Sequence, residues 1–134
     1  MERLRQRIAL AHHALATLQE LTGKPKLSIV ERDAALQRFE YSFEAVWKAA
    51  QLYLHEIEGL EVGSPKAAVR ASLQSKLLDD LETRSVLMMA DDRNLTVHTY
   101  NEALAEEIAG RIPSHAKLLQ TWLARLAMRA SDLT

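Results

Sequence analysis

Residues 28–59 read SIVERDAALQRFEYSFEAVWKAAQLYLHEIEG, a long helical pattern. Ser28 and Glu31 have the spacing of a capping box, in which each side chain satisfies a free backbone amide at a helix start. The pattern predicts one helix that runs to about Glu58 and stops at Gly59. At about 1.5 Å per residue this helix is roughly 45 Å long, which favours a bundle over a globule of short helices.

Apolar side chains form a wide stripe along this predicted helix. We expect one side of the stripe to face the bundle core and the other side to face a partner subunit, as in a two-fold dimer. Trp47 and Tyr53, like Trp122 later in the chain, are interpreted as core or interface residues. The stripe consists of Phe39, Phe43, Val46, Trp47, Ala50, Tyr53, Leu54 and Ile57.

Three other patterns predict helices before residue 96. The first covers residues 2 to about 21, and the Gly-Lys-Pro sequence at 23–25 ends it. A short helix begins after Ser64 and ends near residue 76. Another helix is expected from about residue 79 to residue 95. Its inner stripe is predicted to consist of Leu81, Met88 and Leu95.

The last helix is predicted to begin after Thr99, because Thr99 and Glu102 have the spacing of a second capping box. Pro113 lies inside the pattern and predicts a kink or a short break. No strand pattern or repeat is visible. The chain is therefore predicted to be all-α: an antiparallel up-and-down four-helix bundle with one additional short helix, in a single domain over residues 1–134.

Composition narrows the classes of function. The 134 residues are 48% hydrophobic, which fits a folded chain with one core. A net charge of −1 means that any contact with RNA must be local. The lack of cysteine excludes disulfides and thiolate metal sites. Without a signal-peptide pattern or an apolar run of about 20 residues, we expect a soluble cytoplasmic protein.

Residues 91–100, DDRNLTVHTY, concentrate the reactive side chains of the chain. An unbroken helix would place Arg93 and His98 about 140° apart, too far to serve one site. Two β-branched residues, Thr96 and Val97, and the expected cap at Thr99 predict that the helix breaks between Leu95 and Thr99. Arg93 and His98 then meet either within one chain or across a two-fold dimer axis, and the sequence allows both.

Together these side chains suit phosphodiester chemistry without a metal. The imidazole of His98 can accept the proton of a ribose 2′-hydroxyl. Arg93 can neutralise negative charge that develops on a phosphate. Asn94 offers a further hydrogen bond, and the phenol of Tyr100 can bind a base or accept a transferred group.

The same residues also allow a purely structural interpretation, in which they form no chemical site. Arg93 would then pair with Asp91 or Asp92 at a helix end, and His98 would be a capping residue. The two aspartates lack a third and a fourth metal ligand, and His115 has no histidine or carboxylate one turn further on. The sequence therefore predicts neither a metal site nor a cofactor.

The chain resembles a known family at several places. Residues 93–100, RNLTVHTY, resemble the R-x4-H-x-Y signature of the HepT-like branch of the HEPN superfamily, whose members are often called nucleotidyltransferase substrate-binding proteins. Residues 38–48, RFEYSFEAVWK, resemble its second-helix signature. Residues 64–66 resemble the start of its third segment, and residues 91–94 resemble the acidic-Arg-Asn sequence that opens its motif.

This resemblance, which covers most of the chain, implies a homodimer and a small nucleotidyltransferase partner encoded nearby. The chain would be the substrate-binding, AMP-accepting subunit of a two-component system of toxin–antitoxin type, with Tyr100 as the acceptor. It would alternatively be a metal-independent ribonuclease that cuts RNA with Arg93 and His98, supported by Asn94 and Asp92, and is silenced by AMP transfer. A third alternative is a helical dimerisation module with an inactive site.

Overall fold

The computed structural model describes residues 1–133, which form five α-helices and one 3-10 helix without any strand. Four long helices and the short α3 confirm the predicted bundle. None of these helices combines the length and the hydropathy needed to cross a membrane. The helices are α1 (Glu2–Thr22), α2 (Ile29–Glu56), α3 (Pro65–Gln74), α4 (Asp80–Leu95), a 3-10 helix (Thr96–His98) and α5 (Glu102–Asp132).

Helix α2 is the centre of the bundle and contacts every other helix. Within the described chain α1 packs against α2 and α5 but not against α3 or α4, so α2 must be apolar around much of its circumference. The predicted stripe is accordingly buried from Phe39 to Leu54, and Ile57 is partly buried. The expectation that one side of this stripe faces a partner subunit is therefore wrong.

The capping box predicted at the start of α2 and the turn predicted at Gly59 after its end are both present. The amide of Ser28 donates to Glu31 Oε1 at 2.9 Å, and the amide of Glu31 donates to Ser28 Oγ at 3.1 Å, which completes the capping box. The helix ends at Glu56, two residues earlier than predicted. Gly59 has φ +68°, a left-handed conformation that glycine adopts without steric cost, and it turns the chain away.

The predicted inner stripe of α4 is on the wrong face. Leu81, Met88 and Leu95 point outward and are 71%, 66% and 38% exposed. Both faces of α4 carry apolar residues, so periodicity alone does not select the buried one. Contacts with α3, α2 and α5 select the face that contains Thr83, Val86, Met89, Ala90 and Asp92.

The start of α5 also differs from its prediction. Asn101 is the N-cap, because its side chain accepts a hydrogen bond from the amide of Leu104 at 3.1 Å. The Thr99 hydroxyl instead donates to Thr96 O at 2.8 Å and closes the preceding turn. The helix is unbroken at Pro113, so the alternative of a short break is wrong.

Candidate functional site

The motif lies at the end of α4 and in the turn that follows it. The predicted break is confirmed, since α4 ends at Leu95 and the chain continues as the 3-10 helix Thr96–His98. The buried hydroxyl of Thr96 donates both to Arg93 O at 2.7 Å and to Glu40 Oε2 at 2.9 Å. This bifurcated contact holds the turn against α2.

Arg93 is half-buried in the last turn of α4 and is directed toward α2. Its guanidinium donates to Glu44 Oε2 at 3.2 Å, and the same oxygen accepts from Trp47 Nε1 at 2.9 Å. The Nε atom of Arg93 is buried and has no hydrogen-bond partner among residues 1–133. Pairing of Arg93 with Asp91 or Asp92, the structural alternative from sequence, is therefore wrong.

His98 and Tyr100 form the exposed part of the motif. Their rings meet edge to face with centroids 6.0 Å apart, and Tyr100 is 86% exposed. Asn94 is also exposed. No hydrogen bond joins Arg93 to His98 in the part of the chain that the structure describes. One chain thus brings His98 and Tyr100 together but leaves Arg93 bound to α2.

Behind the motif lies a buried network that the sequence did not reveal. Asp92 is 6% exposed and accepts two hydrogen bonds from Arg111, both at 2.8 Å. Its Oδ2 atom also lies 2.7 Å from His115 Nε2. The His115 ring stacks on Phe39, with centroids 5.2 Å apart. Asp92 therefore ties the end of α4 to the middle of α5.

The charges in this network follow from burial and hydrogen bonding. Burial by itself would raise the pKa of Asp92, but the hydrogen bonds from Arg111 and His115 outweigh it and hold this pKa below its ordinary value. Burial lowers the pKa of His115, although the hydrogen bond to Asp92 acts in the opposite direction. Near pH 7 Asp92 is thus ionised, and neutral His115 donates its Nε2 proton to it.

One sequence signal would have pointed to this network. Arg111 and His115 are four residues apart and so lie on one face of α5, where they offer two donors to a single acid. The partner of His115 lies not one helical turn away but 23 residues away along the chain. The role of Asp92 as a support next to Arg93 is compatible with this geometry, and the network fixes the residue that directly precedes the motif arginine.

The arrangement offers proton transfer and charge neutralisation. Asp91 is exposed and pairs with Lys66 at 2.6 Å, so it takes no part in the buried network. Residues 1–133 contain no group of three or more histidine, aspartate or glutamate side chains placed to hold a metal ion. The His98 imidazole and the Tyr100 phenol are exposed, so a large substrate or a second protein can contact them.

Comparisons with known proteins agree with this architecture. A family model described as nucleotidyltransferase substrate binding protein like matches residues 6–128. A crystal structure of a Thermus thermophilus protein has a TM-score of 0.84 and 57% identity, over 87% of this chain and 98% of the other. No curated protein matches the chain.

Two further solved structures share the fold at low identity. The crystal structure of a mutant of the toxin–antitoxin MntA-HpeT has a TM-score of 0.78 and 14% identity, over 96% of this chain and 99% of the other. The crystal structure of a toxin–antitoxin with AMP-PNP has a TM-score of 0.68 and 13% identity, over 92% and 96%. At these identities the likeness concerns the fold alone.

Proposed function

The chain belongs to the nucleotidyltransferase substrate-binding-like family, and on this basis we propose that it is the AMP-accepting partner subunit of a small two-component nucleotidyltransferase. We place the pair in the cytoplasm and assign it to the toxin–antitoxin type, as for the two solved structures that share the fold. The observation that carries the proposal is the exposure of the Tyr100 phenol, 86%, beside His98.

Tyr100 suits the role of acceptor because a partner enzyme can surround it. The phenol oxygen would attack the α-phosphorus of ATP, forming a new O–P bond while the bond to the β-phosphate oxygen breaks. Pyrophosphate leaves, and the phenol proton passes to a base. His98, whose ring lies edge-on to the Tyr100 ring, is one candidate for that base.

Incubation with the partner transferase and ATP should add the mass of one AMP to the protein, and peptide mapping should place it on Tyr100. Tyr100→Phe keeps the ring but removes the attacking oxygen, so we expect no uptake. Tyr53→Phe is the control, because Tyr53 is buried in the core, and this variant should be modified like the wild type. AMP on another residue, or no AMP on the wild type, would refute the assignment.

A second candidate function is metal-independent RNA cleavage by the same motif. It is favoured by the exposed imidazole of His98 and by the half-buried guanidinium of Arg93 within the same motif. AMP on Tyr100 would place a bulky anion against the His98 ring and so silence the nuclease. If neither reaction occurs, the remaining alternative is a dimerisation module with an inactive site.

A homodimer is part of the proposal, and the exposed face of α4 supports it. Leu81, Met88 and Leu95 are spaced by seven residues and form an outward line about 21 Å long. The line leads to exposed Val97, inside the motif. Such an apolar stripe usually marks an interaction surface, and we propose that a second copy covers it. The exposed His98 and Tyr100 of the two copies would then lie close to each other near the two-fold axis, while Arg93 stays turned toward α2.

This dimer can be tested by cross-linking, because the chain has no cysteine of its own. The two motifs meet only if the two α4 helices run in the same direction or cross near Leu95. Leu95→Cys should therefore form an inter-chain disulfide on mild oxidation. Leu81→Cys should form an inter-chain disulfide only if the two α4 helices lie side by side, and not if they cross near Leu95.

Met128→Cys is the control for random collision, since Met128 is more exposed than Leu95 but lies on α5. It should stay uncross-linked on a non-reducing gel. A dimer in which Leu95→Cys forms no disulfide would place the interface on another face and contradict the proposal.

A further inference from the structure

A groove of about 440 Å³ lies between α1 and α2. It is framed by residues at helical spacing, so it follows the direction of both helices. Two alanines, one from each helix, keep it open because their side chains are small. Its volume is in the range of sites that hold small organic ligands. The residues used below are Arg7, Leu10 and Ala14 from α1 and Tyr41, Ala45 and Lys48 from α2.

The groove presents a fixed aromatic ring and an exposed aliphatic side chain. The hydroxyl of Thr17 donates to Ala14 O at 2.7 Å, so the Tyr41 hydroxyl donates to the Thr17 oxygen. This chain of hydrogen bonds anchors the Tyr41 ring to α1. Tyr41 and Leu10 nevertheless remain open to solvent. A nucleobase can stack on the planar Tyr41 ring and contact the aliphatic Leu10 side chain beside it.

Two cations complete the groove. Arg7 and Lys48 both line it, and neither forms an ion pair with any carboxylate in residues 1–133. Lys48 Nζ lies 4.7 Å from the centre of the Trp47 ring, a contact that orients the ammonium without neutralising it. The one acid in the lining is Glu44, which already binds Arg93. The groove is therefore locally positive in a chain whose net charge is −1.

The groove is also continuous with the motif. Glu44 lines the groove, and its Oε2 atom accepts the hydrogen bond from Arg93. A ligand in the groove thus lies next to the arginine that the proposed chemistry uses. Aromatic stacking surfaces combined with cations along a groove are typical of sites for single-stranded nucleic acid.

We propose that this groove binds a segment of single-stranded RNA beside the motif. A base stacks on Tyr41 and Leu10, and the adjoining phosphates lie against Arg7 and Lys48. The strand then continues past Glu44 toward Arg93. The choice of RNA rests on the second candidate function, whereas the affinity of the groove itself does not require cleavage or AMP transfer.

Binding is measured by fluorescence anisotropy with a labelled mixed-sequence RNA of about twelve nucleotides. All variants carry His98→Ala, so that the RNA stays intact, and no transferase is present. Removing both cations, Arg7→Ala with Lys48→Ala, should weaken binding about tenfold and make it less dependent on salt. The matched control, Arg70→Ala with Lys117→Ala, removes two exposed cations elsewhere and should bind like the His98→Ala parent.

Stacking is tested separately at Tyr41. Tyr41→Ala should weaken binding about tenfold, while Tyr41→Phe keeps the ring, loses only its hydrogen bond to Thr17, and should weaken binding much less than Tyr41→Ala does. Circular dichroism verifies the fold of each variant, and Arg7→Gln with Lys48→Gln replaces the alanine pair if that pair does not fold.

Three results would overturn the proposal. In the first, the parent does not bind RNA, or the groove pair and the control pair lose affinity equally. In the second, Tyr41→Ala binds like the parent. In the third, the groove variants bind RNA like the parent but change their oligomeric state or no longer bind a protein segment. The groove would then be a protein interface. Failure of AMP transfer to Tyr100 would refute the proposed function and leave these binding results standing.

Discussion

His98→Ala is expected to slow RNA cleavage by about 10²- to 10⁴-fold, the contribution of a well-placed general base. His98 closes the 3-10 helix, and the buried hydroxyl of Thr96 holds that turn against α2. The imidazole is exposed and contacts only Tyr100 among the described rings. Removing it therefore deletes the proposed proton acceptor with little effect on packing. Single-turnover cleavage of an end-labelled RNA measures the change.

The control is His12→Ala, because His12 is an exposed histidine on α1 away from the motif. This variant should cleave like the wild type. Arg93→Lys tests the other half of the pair, since lysine keeps the charge but loses the planar fork that binds a phosphate at two points. Equal cleavage by wild type and His98→Ala would exclude the nuclease and leave the AMP-accepting function untouched.

Asp92→Ala is expected to lower the free energy of unfolding by about 3 kcal/mol. The carboxylate is buried and satisfies donors from Arg111 and His115. Without it the His115 Nε2–H stays buried and unpaired, and Arg111 loses its bidentate partner. Arg111 is partly exposed and can turn to water, which keeps the loss below that of a fully buried pair. Urea unfolding followed by circular dichroism gives the value.

Asp91→Ala is a matched control one residue away. Asp91 is exposed and pairs only with Lys66, so its removal should cost less than about 1 kcal/mol. Similar losses for Asp91→Ala and Asp92→Ala would contradict the structural role of the network. His115→Asn, which keeps a donor in the buried position, should fall between the two.

The pH dependence of stability gives a second measure of this network. The pKa of His115 is lower in the folded chain than in the unfolded chain, where it is about 6.5, so the unfolded state binds more protons as the pH falls. Stability should therefore decrease below about pH 6.5. The lowered pKa of Asp92 adds a further loss below about pH 4. Asp92→Asn should make this second decrease smaller without abolishing it, because the pKa values of Glu31, Glu82 and Glu102 are also lowered in the folded chain.

Several predictions from sequence were accurate because they concern neighbours along the chain. The capping box at Ser28 and Glu31, the end of α1 at Thr22 and the break after Leu95 each depend on residues within one helical turn. The start of α5 is the exception. Thr99 and Asn101 are both good cap residues, and the 3-10 turn that engages Thr99 leaves Asn101 to cap the helix.

The face that a helix buries was harder to predict. For α2 the apolar stripe was correct, yet its width reflects a central position in the bundle rather than a partner surface. For α4 the choice of face was wrong because apolar residues occur on both sides of the helix. The outward stripe of Leu81, Met88 and Leu95 became visible only once α3, α2 and α5 had covered the other side.

The sequence by itself determined most helix ends to within two residues, because caps and turns are local hydrogen-bonding patterns, and it located the motif at residues 91–100. Only the tertiary structure decided the partners of the motif. Arg93 binds Glu44, 49 residues away, and Asp92 binds Arg111 and His115, 19 and 23 residues away. Such pairs form because packing α4 against α2 and α5 buries these charges together, and a buried charge needs a partner wherever in the chain that partner lies.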